Sequence, residues 1–269
     1  MADVSIKKLL DVSLEAGREI FDVYEKDIEV ETKEDDSPLT QADQRSHQAI
    51  MNGLQTAYSD IPVLSEEGTD IPYEERKDWT QFFLVDPLDG TKEFIKKNGE
   101  FTVNIALIEG KYPTLGVIYA PVLDTFYFGR KGVGAFKLED ASKKDITGDE
   151  ALVSESISLP EVADADVVNV VASRSHMSAE TEEFIEGLRE DREVDVVSAG
   201  SSLKFCLVAE GKADYYPRYA PTMEWDTGAG QAIVEASGGK VIRHEDNERF
   251  YYNRENLKNG WFLAESRKY

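Results

Sequence analysis

The segment Leu84–Phe94 reads LVDPLDGTKEF, and its two aspartates carry the first chemical signal in the chain. An apolar run, Gln81–Val85, stops at Asp86, and Asp89 follows three residues later. Two carboxylates at the end of a buried strand repel each other unless a positive charge lies between them. Other acids sit in similar positions. Glu66 and Glu67 end the run Ile61–Leu64, and Asp226 follows Trp225 at a helix start. Hard oxygen ligands in small number suit Mg2+, which takes a few carboxylates and keeps water or substrate phosphate in its other positions. Each acid alone has an ordinary reading. An Asp before Gly is a turn residue, and an Asp before a helix is an N-cap.

Next to these acids stand groups suited to water and phosphate. Two divalent ions can clamp an in-line displacement, one activating water and the other stabilising the leaving oxygen. Thr91 has a hydroxyl able to orient that water. Gly90 lets the chain turn so that the amides after Asp89 face a phosphate oxygen. Arg218 offers a fork that fits phosphate bidentately, with Lys204 as a second local cation. The tract Lys92, Lys96, Lys97 reads better as a solvated helix face. His176 reads equally well as a structural histidine and as an adenine partner. Cys206, between Phe205 and Leu207, reads as core.

The elements that position these groups follow from periodicity. Ile6, Leu9, Leu10, Ser13, Gly17, Ile20, Phe21 and Tyr24 fall at helical spacing, so residues 4–25 are predicted as a helix. Residues 29–43 read as a short strand, an acidic turn and the start of a second helix, continued by Ala49, Ile50, Leu54, Ala57 and Tyr58. A short strand ends at Glu66, a polar loop spans 70–80, and 81–86 is a strand. FTVNIALIEG, TLGVIYAP and TFYFGRKG form an antiparallel meander. Residues 138–150 hold many turn formers and few apolar residues, which predicts a boundary between halves at 1–145 and 146–269. Beyond it, strands (VVNVVAS, VDVVSAG, ADYYPR, KVIR, WFLAE) alternate with helices. These helices are opened by Ser178, closed by Gly211, and capped by Asp226 with a stop at Gly238 and Gly239. The alternation predicts α/β layers of sheets covered by helices.

Composition bounds the function. The 269 residues carry 53 acids against 30 bases, a net charge of −23. This balance argues against binding nucleic acid or anionic membrane through a broad basic surface. The acidic excess has two readings of equal weight: a plain soluble surface, or adaptation to high salt, where screening removes self-repulsion. No D-x-[DN]-x-[DN]-G calcium loop occurs. No run approaches the roughly 18 apolar residues of a membrane span. A single cysteine leaves no internal disulfide. The N-terminus lacks a signal-peptide pattern, so the expected location is cytoplasmic, free or peripherally held at the inner membrane face.

DPLDGT followed by WDTGAG, with LSEEG upstream, resembles the inositol-monophosphatase-like superfamily of Mg2+-dependent, lithium-inhibited phosphatases. The resemblance runs over nearly the whole chain. The stretches DGTKEFIKKNGEFTVNIAL, GSSLKFCLVAEGKADYYPR and ASRSH narrow it to the bacterial 3′(2′),5′-bisphosphate nucleotidases of sulfate assimilation. Inositol phosphatases of the superfamily usually carry Asn-Phe after D-G-T. The resemblance implies a layered αβαβα sandwich, with most metal ligands in the first half and the nucleotide held by the second. It implies two or three Mg2+ ions. Glu66, Asp86 and the Leu88 carbonyl match one site, and Asp86, Asp89 and Asp226 match another. Asp43 and Thr91 match the water-activating pair. Gly90, Thr91, His176, Ser201, Lys204 and Arg218 match substrate contacts. The implied reaction is hydrolysis of adenosine 3′,5′-bisphosphate, or its 5′-phosphosulfate analogue, by a monomer or homodimer. Rival readings are an inositol monophosphatase or broad sugar phosphatase, and a silent Mg2+/nucleotide-binding module. Gly228 stands where Ala is common, a change that leaves the helix start intact.

Overall fold

The computed structural model describes residues 3–25, 30–32, 38–68, 70–161, 167–172 and 177–267. The chain opens with α1 (Ile6–Tyr24), an antiparallel ribbon of β1 (Val30–Thr32) and β2 (Pro38–Thr40), and α2 (Gln41–Ala57). The start of α1 is satisfied from two sides. Ser5 accepts from the Lys8 amide, and the Asp149 carboxylate accepts from the Ile6 and Lys7 amides, so the orphan donors of the first turn are bonded.

A seven-stranded sheet follows in chain order: β3 (Val63–Ser65), β4 (Gln81–Asp89), β5 (Thr102–Glu109), β6 (Tyr112–Ala120), β7 (Thr125–Arg130), β8 (Gly134–Glu139) and β9 (Ile157–Leu159). Only its first pair, β3 with β4, is parallel. Short helices α3 (Tyr73–Arg76), α4 (Thr91–Ile95) and α5 (Asp149–Glu155) sit between strands. The last strand, β9, comes from beyond residue 145.

The remaining chain builds a five-stranded sheet and three helices. In chain order they are β10 (Val168–Ala172), α6 (Ala179–Arg189), β11 (Val194–Ser198), α7 (Leu203–Glu210), β12 (Tyr215–Arg218), α8 (Gly228–Ala236), β13 (Lys240–Arg243) and β14 (Phe262–Glu265). The spatial order is β11-β10-β12-β14-β13.

Period-two side-chain alternation sorts the sheet residues into separate cores. On β4, Phe83 and Val85 join α1 and α2, whereas Phe82 and Leu84 face α7, α8 and the second sheet. A third cluster joins Val168, Val170 and Val194 to Ile185 of α6. The layers are therefore α1/α2, seven-stranded sheet, α7/α8, five-stranded sheet, α6: the αβαβα sandwich. Helix α8 lies directly on the first sheet because Gly116 admits it. A Cβ at Gly116 would come within 2.4 Å of the Ala229 carbonyl oxygen.

Several local expectations change. The polar loop at 70–80 contains α3, whose Arg76 is buried and donates to the carbonyls of Ile71, Arg254 and Glu255. Its stability is tertiary, so no periodicity announces it. Strand β4 continues through Pro87 to Asp89 instead of ending at Asp86. The turn-rich region 138–150 holds the end of β8 and the start of α5. Asp226 does not cap α8. It ends a 3-10 turn, Glu224–Asp226, and Thr227 takes the cap position. The acidic turn between β1 and β2 falls outside the described residues.

Candidate active site

The site is built where β4 breaks register. Asp86 pairs with Asn104 and Asp89 with Thr102, so Pro87 and Leu88 form a bulge between them. Proline has no amide to continue the ladder, and a bulge re-aims the side chains beside it. The Leu88 amide donates to Asp86 Oδ1 at 3.1 Å, and Ser46 of α2 donates to the Pro87 carbonyl at 2.7 Å. Gly90 then takes φ +92°, ending the strand and opening α4. A Cβ there would sit 3.2 Å from both the Glu100 carbonyl oxygen and Ser201 Cβ, besides the strain of a left-handed backbone. Thr91 follows, its hydroxyl donating to the Leu88 carbonyl at 3.4 Å.

Acids converge on this bulge. Asp86 and Asp43 are buried. Burial pushes the Asp86 carboxyl well above the ordinary carboxylate range, and the charges of Glu66, Asp89, Asp226 and Asp43 add to it. Burial also raises Asp226, with Asp89 as its strongest like-charged neighbour. The five predicted acids therefore share one electrostatic neighbourhood. Among the described residues no three of them close into a ligand cage. The bonding shows where the oxygens are turned. Asp226 Oδ2 accepts from the Met223 amide at 2.9 Å, and Asp89 Oδ2 accepts from Ser201 and Ser202, each at 2.7 Å. The donor set is nevertheless what a hard divalent cation takes: oxygen only, buried at Asp43 and Asp86 and half-buried at Glu66, Asp89 and Asp226, and mutually repelling until a positive charge offsets it.

A cleft of about 150 Å3 opens beside Asp89 and Asp226, and Gly90, Ser201, Lys204 and Arg218 line it. Lys204 is buried. Burial pushes its ammonium down to about 8, against the pull of Asp89, and it donates to the Ser201 carbonyl at 2.9 Å. Arg218 ends β12. Its Nη2 reaches the Pro221 carbonyl at 3.3 Å, and its buried Nε has no hydrogen-bond partner among the described residues. His176 lies outside the described residues. Cys206 is core, with its thiol raised by burial. The larger groove between α1 and α2, about 590 Å3, is lined by residues such as Lys8, Glu19 and Arg45 and holds none of the predicted site residues.

Sequence reasoning missed several cleft or site residues: Glu93, Tyr216 and Thr222 on the wall, and Asn104 and Ser202 beneath Asp89. Asn104 did leave a trace, as a polar residue in the middle of the apolar run FTVNIAL.

The chain matches the inositol monophosphatase family over residues 4–266 and belongs to that family. Within it, the chain is 46% identical over 260 residues to the 3′(2′),5′-bisphosphate nucleotidase CysQ of Salmonella typhimurium, covering 96% of this chain and 98% of the relative. The CysQ of Escherichia coli K12 is 45% identical over the same length. The crystal structure of CysQ from Bacteroides thetaiotaomicron superposes with a TM-score of 0.88 at 44% identity, covering 98% of this chain and 97% of the other. An inositol monophosphatase of Thermotoga maritima shares the fold at a TM-score of 0.71 and 21% identity.

Proposed function

We propose that this protein is a divalent-metal-dependent 3′(2′),5′-bisphosphate nucleotidase that hydrolyses the 3′-phosphate of adenosine 3′,5′-bisphosphate, with the 5′-phosphosulfate analogue as a second substrate. The observation that carries the reading is a pair of neighbouring subsites. One is a group of acids around the β4 bulge, with Asp43 and Asp86 buried. The other is the adjoining cleft with Lys204 and the partner-poor guanidinium of Arg218. A bisphosphate needs both, because its second phosphate must lie outside the acid cluster and meet cations of its own.

Glu66, Asp86 and the Leu88 carbonyl would hold one Mg2+, and Asp86, Asp89 and Asp226 a second. When bound, such ions lower the pKa of the attacking water and stabilise charge on the transferring phosphoryl group. The chain's own residues do the rest. Thr91 orients the water, its hydroxyl turning from the long bond to the Leu88 carbonyl so that Asp43 accepts its proton. Gly90 keeps side-chain bulk away from the phosphoryl oxygens. Arg218 and Lys204 hold the 5′-phosphate, and the Tyr216 and Thr222 wall borders it. Water adds to phosphorus, the bond to the 3′-oxygen breaks, and that oxygen leaves with a proton to give AMP and phosphate.

The test is turnover of adenosine 3′,5′-bisphosphate and inositol 1-phosphate side by side with Mg2+. A clear preference in kcat/KM for the bisphosphate is expected. Equal turnover, or preference for the inositol ester, would refute the assignment. No turnover of either would leave the silent binding module as the reading.

A further inference from the structure

We propose that Asn104 and Ser202 are positioning residues: a buried pair that fixes the Asp89 carboxylate for the cation, while the adjacent Ser201 is the arm that yields to substrate. The inference rests on the metal reading above and deepens it.

Asn104 lies on β5 and Ser202 at the start of α7, so the pair joins the first sheet to the layer between the sheets. The two are 1% and 2% exposed, which leaves no water to replace either partner. Asn104 Nδ2 donates to Ser202 Oγ at 2.8 Å and lies 3.5 Å from Asp89 Oδ2. A reversed amide would turn its oxygen toward that carboxylate, so the acid itself dictates the orientation. Ser202 has one proton. Its acceptors are Asp89 Oδ2 at 2.7 Å and the Asp226 carbonyl at 3.2 Å, and the nearer, charged one is the stronger. Asn104 thus commits Ser202, and Ser202 commits Asp89 Oδ2. Carboxylates that ligate metals are commonly held by such hydrogen bonds.

Ser201 also has one proton for two acceptors, but where those of Ser202 are unequal in distance, those of Ser201 are equal. Its hydroxyl is 2.7 Å from both Asp89 Oδ2 and Thr102 Oγ1. Thr102 lies 3.0 Å from Asn104 Oδ1, an atom that only accepts, so the Thr102 proton goes there. One Ser201 proton then faces two acceptors. Ser201 also sits at φ +51°, a region that serine rarely takes. Both serines border the cleft, but it is the Ser201 carbonyl that accepts from Lys204. Of the two serines on Asp89, Ser201 is therefore the less committed.

The experiment titrates the intact, substrate-free protein with Mn2+ as the metal probe, followed by electron paramagnetic resonance. Melting temperature and KM at saturating metal are measured in parallel. Ser202→Ala and Asn104→Ala should each weaken Mn2+ binding about 10–100-fold, the usual scale for such supporting groups. The double variant should be no weaker than the worse single one, because both act through one chain of bonds. Ser201→Ala should raise the substrate KM with a smaller effect on Mn2+. Ser202→Ala removes one oxygen atom, so it carries the test if Asn104→Ala does not fold. Mn2+ affinity within twofold of wild type in folded Ser202→Ala overturns the positioning role, as do single losses that multiply in the double variant. Failure of the wild type to bind Mn2+ would instead remove the metal reading itself.

Discussion

Arg218→Ala isolates the contact that separates a bisphosphate enzyme from a monophosphate enzyme. In the free protein the guanidinium does little for the fold: one bond of 3.3 Å to the Pro221 carbonyl, and a buried Nε with no hydrogen-bond partner among the described residues. Truncation therefore breaks one long hydrogen bond and removes one charged donor from the cleft. A charged hydrogen bond contributes about 1.5–3 kcal/mol. Each 1.4 kcal/mol is roughly tenfold in an equilibrium constant, so KM for adenosine 3′,5′-bisphosphate should rise about 10–100-fold. Inositol 1-phosphate has no second phosphate, so its kcat/KM should change much less. Arg218→Lys should fall between, since it keeps the charge and loses the fork. The assay is steady-state phosphate release on both substrates at saturating Mg2+, with the melting temperature of each variant. Equal losses on both substrates at an unchanged melting temperature would refute the reasoning, because Arg218 would then serve the scissile phosphate.

Lys204 titrates near 8, so bisphosphate KM should rise as pH passes about 8, and Lys204→Arg should flatten that rise. The fold binds fewer protons than the unfolded chain from there up to the ordinary lysine value of about 10.4, so this lysine makes stability increase over the same window and unfolding cannot mimic the effect. Asp86 is held above its ordinary value, so in EDTA its ionisation lowers stability as pH rises through the unfolded value of about 4. Asp86→Asn should therefore melt higher than wild type in EDTA at pH 7 while losing most activity and the stabilisation by Mg2+; an unchanged response to Mg2+ would count against a bridging role. Asp43→Asn and Thr91→Ala should each lower kcat about 10²–10⁴-fold, with a double variant far from multiplicative. Losses that multiply would assign them separate roles. If the charge of −23 is a salt adaptation, melting temperature should climb from dilute to molar KCl, and a flat or falling curve would assign the acidity another cause.

Much of the site was legible because it is local in sequence. Asp86, Pro87, Leu88, Asp89 and Gly90 form one continuous bulge and turn, and each type has a backbone reason to be there. The helices opened by Ser178 and closed by Gly211 also match, since caps are decided within a few residues: Ser178 accepts from the Thr181 amide and Gly211 takes φ +76°. Strand β8 and the helices α3 and α5 were not legible. They are short, and burial of residues such as Phe136, Arg76 and Leu152 against distant chain holds them instead of internal periodicity.

By itself, then, the chain order of residue types determined which acids follow apolar runs, where the longer helices and most strands lie, and that a turn-permitting glycine follows Asp89. It could not decide where each carboxylate oxygen points. Asp226 looks like a helix cap in the sequence, yet its oxygen bonds the Met223 amide in a separate turn. Ser201 and Ser202 look equivalent, yet only Ser202 is backed by Asn104, 98 residues away. Hydrogen-bond direction depends on which partners long-range packing brings within about 3 Å, and one residue's neighbours in sequence carry no record of that. The tertiary fold brought β5 and α7 together under Asp89 and thereby sorted the two serines.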